Sequence, residues 1–100
     1  MIAVRQSDVY RNWFAGLRDE RAKDRIDIRI RRLSLGNGGD AKSVGGGVSE
    51  LRIDYGPGYR VYFTRRDGGE IVILLCGGDK SSQVSDIARA KALLRDMKDR

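Results

Sequence analysis

Between Val48 and Cys76 the sequence spells out three strands separated by two tight turns, and nothing else in the chain restricts its fold so strongly. Val48 to Tyr55 alternates, with Leu51, Ile53 and Tyr55 pointing one way and Glu50, Arg52 and Asp54 the other. Gly56-Pro57-Gly58 follows, a turn in which proline fixes its own dihedral and glycine tolerates positive ones. Tyr59 to Arg65 alternates again, Tyr59, Val61 and Phe63 opposed to Arg60, Tyr62 and Thr64. Asp67-Gly68 is a hairpin signal. Ile71 to Cys76 is apolar on both faces, the mark of a central strand. Strands joined by turns this short pair antiparallel.

The remaining elements are predicted around that meander. Met1 to Arg5 forms a short opening strand, and Ser7 or Asp8 caps a first helix. Val9, Trp13 and Leu17 recur on one face of that helix, with Tyr10 and Phe14 widening it. A second helix runs from about Asp19 to Leu35 on an apolar stripe of Ala22, Ile26, Ile30 and Leu33. Acids gather early in it (Asp19, Glu20, Asp24) and bases late (Arg29, Arg31, Arg32), as the helix dipole prefers, and Gly36 ends it. The arginines then read as a solvated face or as a stripe for phosphate or a partner.

Gly36 to Gly39 and Gly45 to Gly47 flank a short segment, Asp40 to Val44. They lack the strand–GxxxxGK–helix context of a phosphate loop and read as plain loops. A last helix begins near Gln83, with Val84, Ile87, Leu94 and Met97 in its apolar stripe and Ala90 filling the gap. The expectation is one domain over residues 1–100, α+β, of order β-α-α-β-β-β-β-α. Two N-terminal helices pack on a mainly antiparallel sheet, and a C-terminal helix follows.

Composition narrows the chemistry. The chain has no histidine, which removes Ser-His-Asp and Cys-His catalysis and histidine metal sites. The dispersed carboxylates show no metal-ligand spacing, so neither a metal nor another cofactor is expected. Cys76, the single cysteine, lies in an apolar run and reads as a buried small hydrophobe. No signal peptide or membrane span is visible, and a cytoplasmic location is expected. The net charge is +6, and each half of the chain carries ten basic and seven acidic residues. The surplus is therefore spread over the folded surface, where it favours phosphate-rich or acidic partners, RNA first among them.

Alternation then yields a candidate site. If Leu51, Ile53, Tyr59, Val61 and Phe63 face the helical core, Arg52, Arg60 and Tyr62 project together from the opposite face, flanked by Lys42 and Lys80. A plainer reading is that this is a wetted sheet face of mixed polar residues, which Glu50, Asp54 and Thr64 fit. Arginine forks onto phosphate and tyrosine stacks on bases, a pairing suited to single-stranded RNA. Cleavage by a ribose 2′-hydroxyl needs a base, an acid and stabilisation of the anionic phosphorane. Arg52 and Arg60 suit the last role, while Lys42, Lys80, Tyr62 or Asp79 are the candidates for proton transfer.

Four blocks also carry a family resemblance: Gly36-Asn37-Gly38-Gly39-Asp40, Val44 through Ile53, Tyr55 through Phe63, and Leu74-Leu75-Cys76-Gly77-Gly78-Asp79-Lys80. In that order and spacing they resemble the HigB-like branch of the RelE/ParE toxin superfamily, over nearly the whole chain. The resemblance implies the toxin of a type II toxin–antitoxin pair that cleaves translated mRNA on the ribosome without a metal. Arg52, Arg60 and Lys80 match the family's basic positions and Tyr62 a frequent aromatic one. The implied partner is an antitoxin of helix-turn-helix type. Two alternatives stand beside it: a ParE-like toxin that inhibits DNA gyrase, and an inactive toxin-like binding module. The last helix lacks the aromatic residue that RelE members use, and the chain lacks the histidine of some HigB members. The general base and acid therefore stay open.

Overall fold

The computed structural model describes residues 1–98. It is an α+β fold with a five-stranded mixed sheet and three α-helices. The elements in chain order are β1 (Ala3–Gln6), α1 (Asp8–Ala15), α2 (Glu20–Ser34), β2 (Ala41–Gly45), β3 (Val48–Ile53), β4 (Tyr59–Arg66), β5 (Ile71–Asp79) and α3 (Gln83–Lys98). The sheet order is β1-β5-β4-β3-β2. β1 pairs parallel with β5, and the other pairings are antiparallel. The segment between the two glycine clusters is therefore an edge strand, β2, and the second cluster forms the turn into β3.

Local chemistry starts and stops the helices. Ser7 Oγ accepts from the Tyr10 amide at 3.0 Å and donates to the Leu75 carbonyl at 2.6 Å, tying the start of α1 to β5. Asp19 caps α2 by accepting from the Arg21 and Ala22 amides. The Asn37 amide closes α2 on the Arg32 carbonyl and the Gly36 amide on that of Leu33. Gly36 sits at φ 89° for this closure, a conformation costly to any residue with a Cβ.

The sheet is covered on both faces. Tyr10 from α1 and Ile26 and Leu33 from α2 pack on Leu51, Ile53, Val61, Phe63, Val72 and Leu74. On the other face Ala90 and Leu94 of α3 pack on Val48, Tyr62, Ile73, Leu75 and Cys76. This corrects the expectation of a wetted second face. Ile73 and Leu75 point to that side and need apolar cover, which α3 supplies. Val84, expected in the stripe of α3, is instead exposed, and Ile87, Leu93 and Met97 flank the buried pair.

Where β5 leaves the core it is squeezed from both sides. A Cβ on Gly77 would lie 2.3 Å from the Trp13 ring, and one on Gly78 would collide with Asp86. Adjacent glycines thus let α1 and α3 each approach one face of the same strand. A bulge between Tyr62 and Phe63 in the β4–β5 pairing accommodates this end of the strand.

Candidate functional site

Register puts the basic residues in one row. Arg52 on β3 pairs directly with Arg60 on β4, and Arg60 pairs with Gly78 on β5. The Arg52 amide bonds the Asp40 carbonyl at 3.0 Å, which extends the row to the start of β2. Directly opposed residues share a face, so two guanidinium groups lie side by side. Gly78 contributes no side chain beside them.

The next row inward, Lys42, Glu50, Tyr62 and Cys76, sets the orientation of Arg52. Glu50 is fully buried. Its carboxylate accepts from Arg52 Nε at 2.9 Å, the Tyr62 hydroxyl at 3.1 Å and Gln83 Nε2 at 2.8 Å. Burial works to raise its pKa, but the hydrogen bonds from Arg52, Gln83 and Tyr62 outweigh it and hold the group below the usual carboxylate range. The anion at the centre of this network fixes Arg52 through Nε and leaves its two terminal nitrogens directed elsewhere.

Arg60 has no such partner. Its residue is 9% exposed, its Nε is buried with no hydrogen-bond partner, and Nη1 reaches only the Tyr59 carbonyl at 3.5 Å. No ion pair forms to it among the described residues. A buried cation without an anion is costly to a fold. Its Nη1 lies near Gly58, close to the Cβ of Lys80.

These groups line one cleft of about 380 Å³ at the end of the β3–β4 hairpin. Arg52, Arg60 and Lys80 supply its cations, Asp40 and Asp54 its carboxylates, and the Gly56-Pro57-Gly58 turn one wall. Three positive groups facing two negative ones leave a net positive hollow. Its chemistry is that of a site for an anion with room for an acid and a base beside it.

The fold therefore brings together Arg52, Arg60 and Lys80 but not the other candidates. Tyr62 is fully buried under α3, so its ring is closed to a base. Burial, and then the Glu50 carboxylate, push its phenol well above the ordinary range and keep it protonated. Asp79 caps the 3₁₀ turn Lys80–Ser82, where hydrogen bonds from Ser81 hold it below the ordinary carboxylate range. It is not among the residues of the cleft. Lys42 is exposed one strand outward of Glu50, also outside the cleft. Sequence reasoning missed Asp40 and Asp54 as cleft residues. The signal for Asp54 was present, since it alternates onto the Arg52 face; Asp40 enters only through pairing of β2 with β3. No cluster of three or more metal-ligating residues occurs among the described residues.

No helix among the described residues is long and apolar enough to cross a membrane. No family model matches the chain. The chain is 49% identical over 96 residues to an uncharacterized protein of Haemophilus influenzae, covering 96% of each of the two.

Proposed function

This chain belongs to one family with that Haemophilus influenzae protein, and we propose that it is the toxin of a type II toxin–antitoxin pair, a metal-independent endoribonuclease acting on translated mRNA in the cytoplasm. The resemblance of its Glu-Leu-Arg, Gly-Tyr-Arg-Val-Tyr-Phe and Gly-Gly-Asp-Lys blocks to the HigB-like branch of the RelE/ParE superfamily motivates the class. One observation carries it: Arg60, a residue only 9% exposed and with a buried, unpartnered Nε, forms no ion pair among the described residues and lies with Arg52 and Lys80 in an open cleft. A fold keeps such a charge where an anion is to bind, and phosphate is an anion that paired guanidinium forks fit well.

In this reading the scissile phosphate sits over Arg60 and Arg52, whose N–H groups meet the non-bridging oxygens as charge builds on the phosphorane. Asp54, with Asp40 beside it, takes the proton of the attacking 2′-hydroxyl. The Lys80 ammonium gives a proton to the departing 5′-oxygen. Tyr62 and Glu50 act through Arg52 and do not touch the substrate. An antitoxin of helix-turn-helix type is the proposed partner that holds the activity in check.

A second reading has its own observation. Arg52 is tied to Glu50, as it would be in a toxin-like module that binds a protein target such as gyrase and cuts nothing. Primer-extension mapping of a reporter mRNA on translating ribosomes separates the two. New 5′ ends made by the wild type and missing with Arg60→Ala are expected. Growth arrest with intact mRNA transfers the assignment to the protein-binding reading.

A further inference from the structure

A larger groove, about 650 Å³, runs along α2 beside the cleft. Arg21, Arg25, Arg29 and Arg32 line it at successive turns, in steps of about 4.5–6 Å along the axis. The helix dipole accounts for bases in the last turn of α2, but not for Arg21, which occupies the first turn where a cation is disfavoured. None of the four forms an ion pair among the described residues, although Asp24 lies on the same helix. Arg25 instead lies over the Tyr55 ring at 4.8 Å, which holds its side chain at the groove edge. Ile28 is half-exposed between the arginines and offers an apolar surface.

The groove is joined to the cleft. Asp54 borders both, and Arg29 Nη1 donates to the Arg52 carbonyl at 2.6 Å. Basic side chains therefore extend from Arg60 and Lys80, past Arg52, onto α2, with the Asp54 carboxylate at the junction. We infer that the α2 groove is the track along which a single RNA strand runs out of the cleft. Arg21, Arg25 and Arg32 take successive phosphates, and Ile28 contacts a ribose or base. The inference rests on the anion-binding reading of the cleft and adds to it the path and length of the bound strand.

The test is binding of 2′-O-methyl oligouridylates, which lack the attacking hydroxyl and stay intact. A trinucleotide fills the cleft alone, whereas a dodecanucleotide also reaches the groove. Wild type should bind the longer strand roughly tenfold or more tighter at low salt. The variant Arg21→Gln/Arg25→Gln/Arg32→Gln should lose that gain. Its slope of log affinity against log salt should fall by about 2, at about 0.7 for each phosphate contact removed. It should keep the wild-type affinity for the trinucleotide, which also shows that it is folded. A variant that binds the dodecanucleotide like wild type overturns the track while leaving the cleft reading intact. If that variant also loses an oligoglutamate peptide that wild type holds, the groove belongs to an acidic protein partner. If wild type binds neither RNA, the cleft reading fails and the track with it.

Discussion

Replacing Arg60 by methionine should stabilise the fold while removing the activity. The residue is 9% exposed, its Nε has no partner, and no carboxylate among the described residues pairs with it. Exchange of buried ionic groups for apolar residues of similar volume is neutral or stabilising by about 1–4 kcal/mol. Methionine keeps an unbranched stem that can follow the path of the arginine. Because Arg60 borders an open cleft, its head is partly solvated and the low end applies, about 1 kcal/mol. In a chain of this size that raises Tm by roughly 4–8 °C. Thermal and urea melts of both proteins provide the measurement, repeated in phosphate and in chloride at matched ionic strength. Phosphate at ten times its Kd should add roughly 1.4 kcal/mol to the wild type. The methionine variant should show only the general salting effect that both proteins share. A variant less stable than wild type by ~1 kcal/mol or more, with an undiminished phosphate response, would refute the reasoning. Arg60 would then be a packing residue whose charge the fold tolerates.

Glu50→Ala leaves the Tyr62 hydroxyl, Gln83 amide and Arg52 Nε without their common acceptor and should cost about 3–5 kcal/mol in urea unfolding. Because the folded pKa of Glu50 is lowered, its contribution is present above the ordinary glutamate range and disappears as pH falls through the folded value. The stability difference between wild type and Glu50→Gln should therefore shrink on acidification; a constant difference down to the acid limit contradicts this. Gly77→Ala drives a methyl into the Trp13 ring and should destabilise by about 1–3 kcal/mol, with partial recovery when Trp13→Leu is added. Additive losses in the double variant would show that the two positions do not meet. The Cys76 thiol is pushed up to about 12 by burial, and then by Asp86, so at pH 8 it should resist a thiol reagent until urea unfolds the chain. Prompt labelling of the native protein would mean that α3 opens readily.

The two halves of the candidate site differed in how legible they were. Arg52 and Arg60 share a face because a strand alternates with period two, and their pairing follows from the short Gly56-Pro57-Gly58 turn. Lys80 was expected to flank them from its place near a strand end, the family resemblance matched it to a basic position, and its place just past β5 brings it to the same cleft. Tyr62 alternates onto that face too, yet lies under α3. The apolar run Ile71 to Cys76 held the clue, since a strand apolar on both sides needs cover on both sides. Which helix supplies that cover, and how far along the strands it reaches, is a matter of packing between segments distant in sequence.

Period-two alternation, capping residues and turn glycines act over a few residues, and so the sequence by itself determined the strands of the meander, the helices with their capped ends and the arginine pair. The tertiary structure alone decided that α3 seals one end of the second face and leaves the other open. Under the helix, Glu50 and Tyr62 are buried and hold Arg52; beyond its N-terminus, Arg60 forms no ion pair among the described residues, although it shares the cleft with Lys80, Asp40 and Asp54. The physical reason is that burial and charge pairing depend on what lies across a gap in space, and the neighbours along the chain do not specify that.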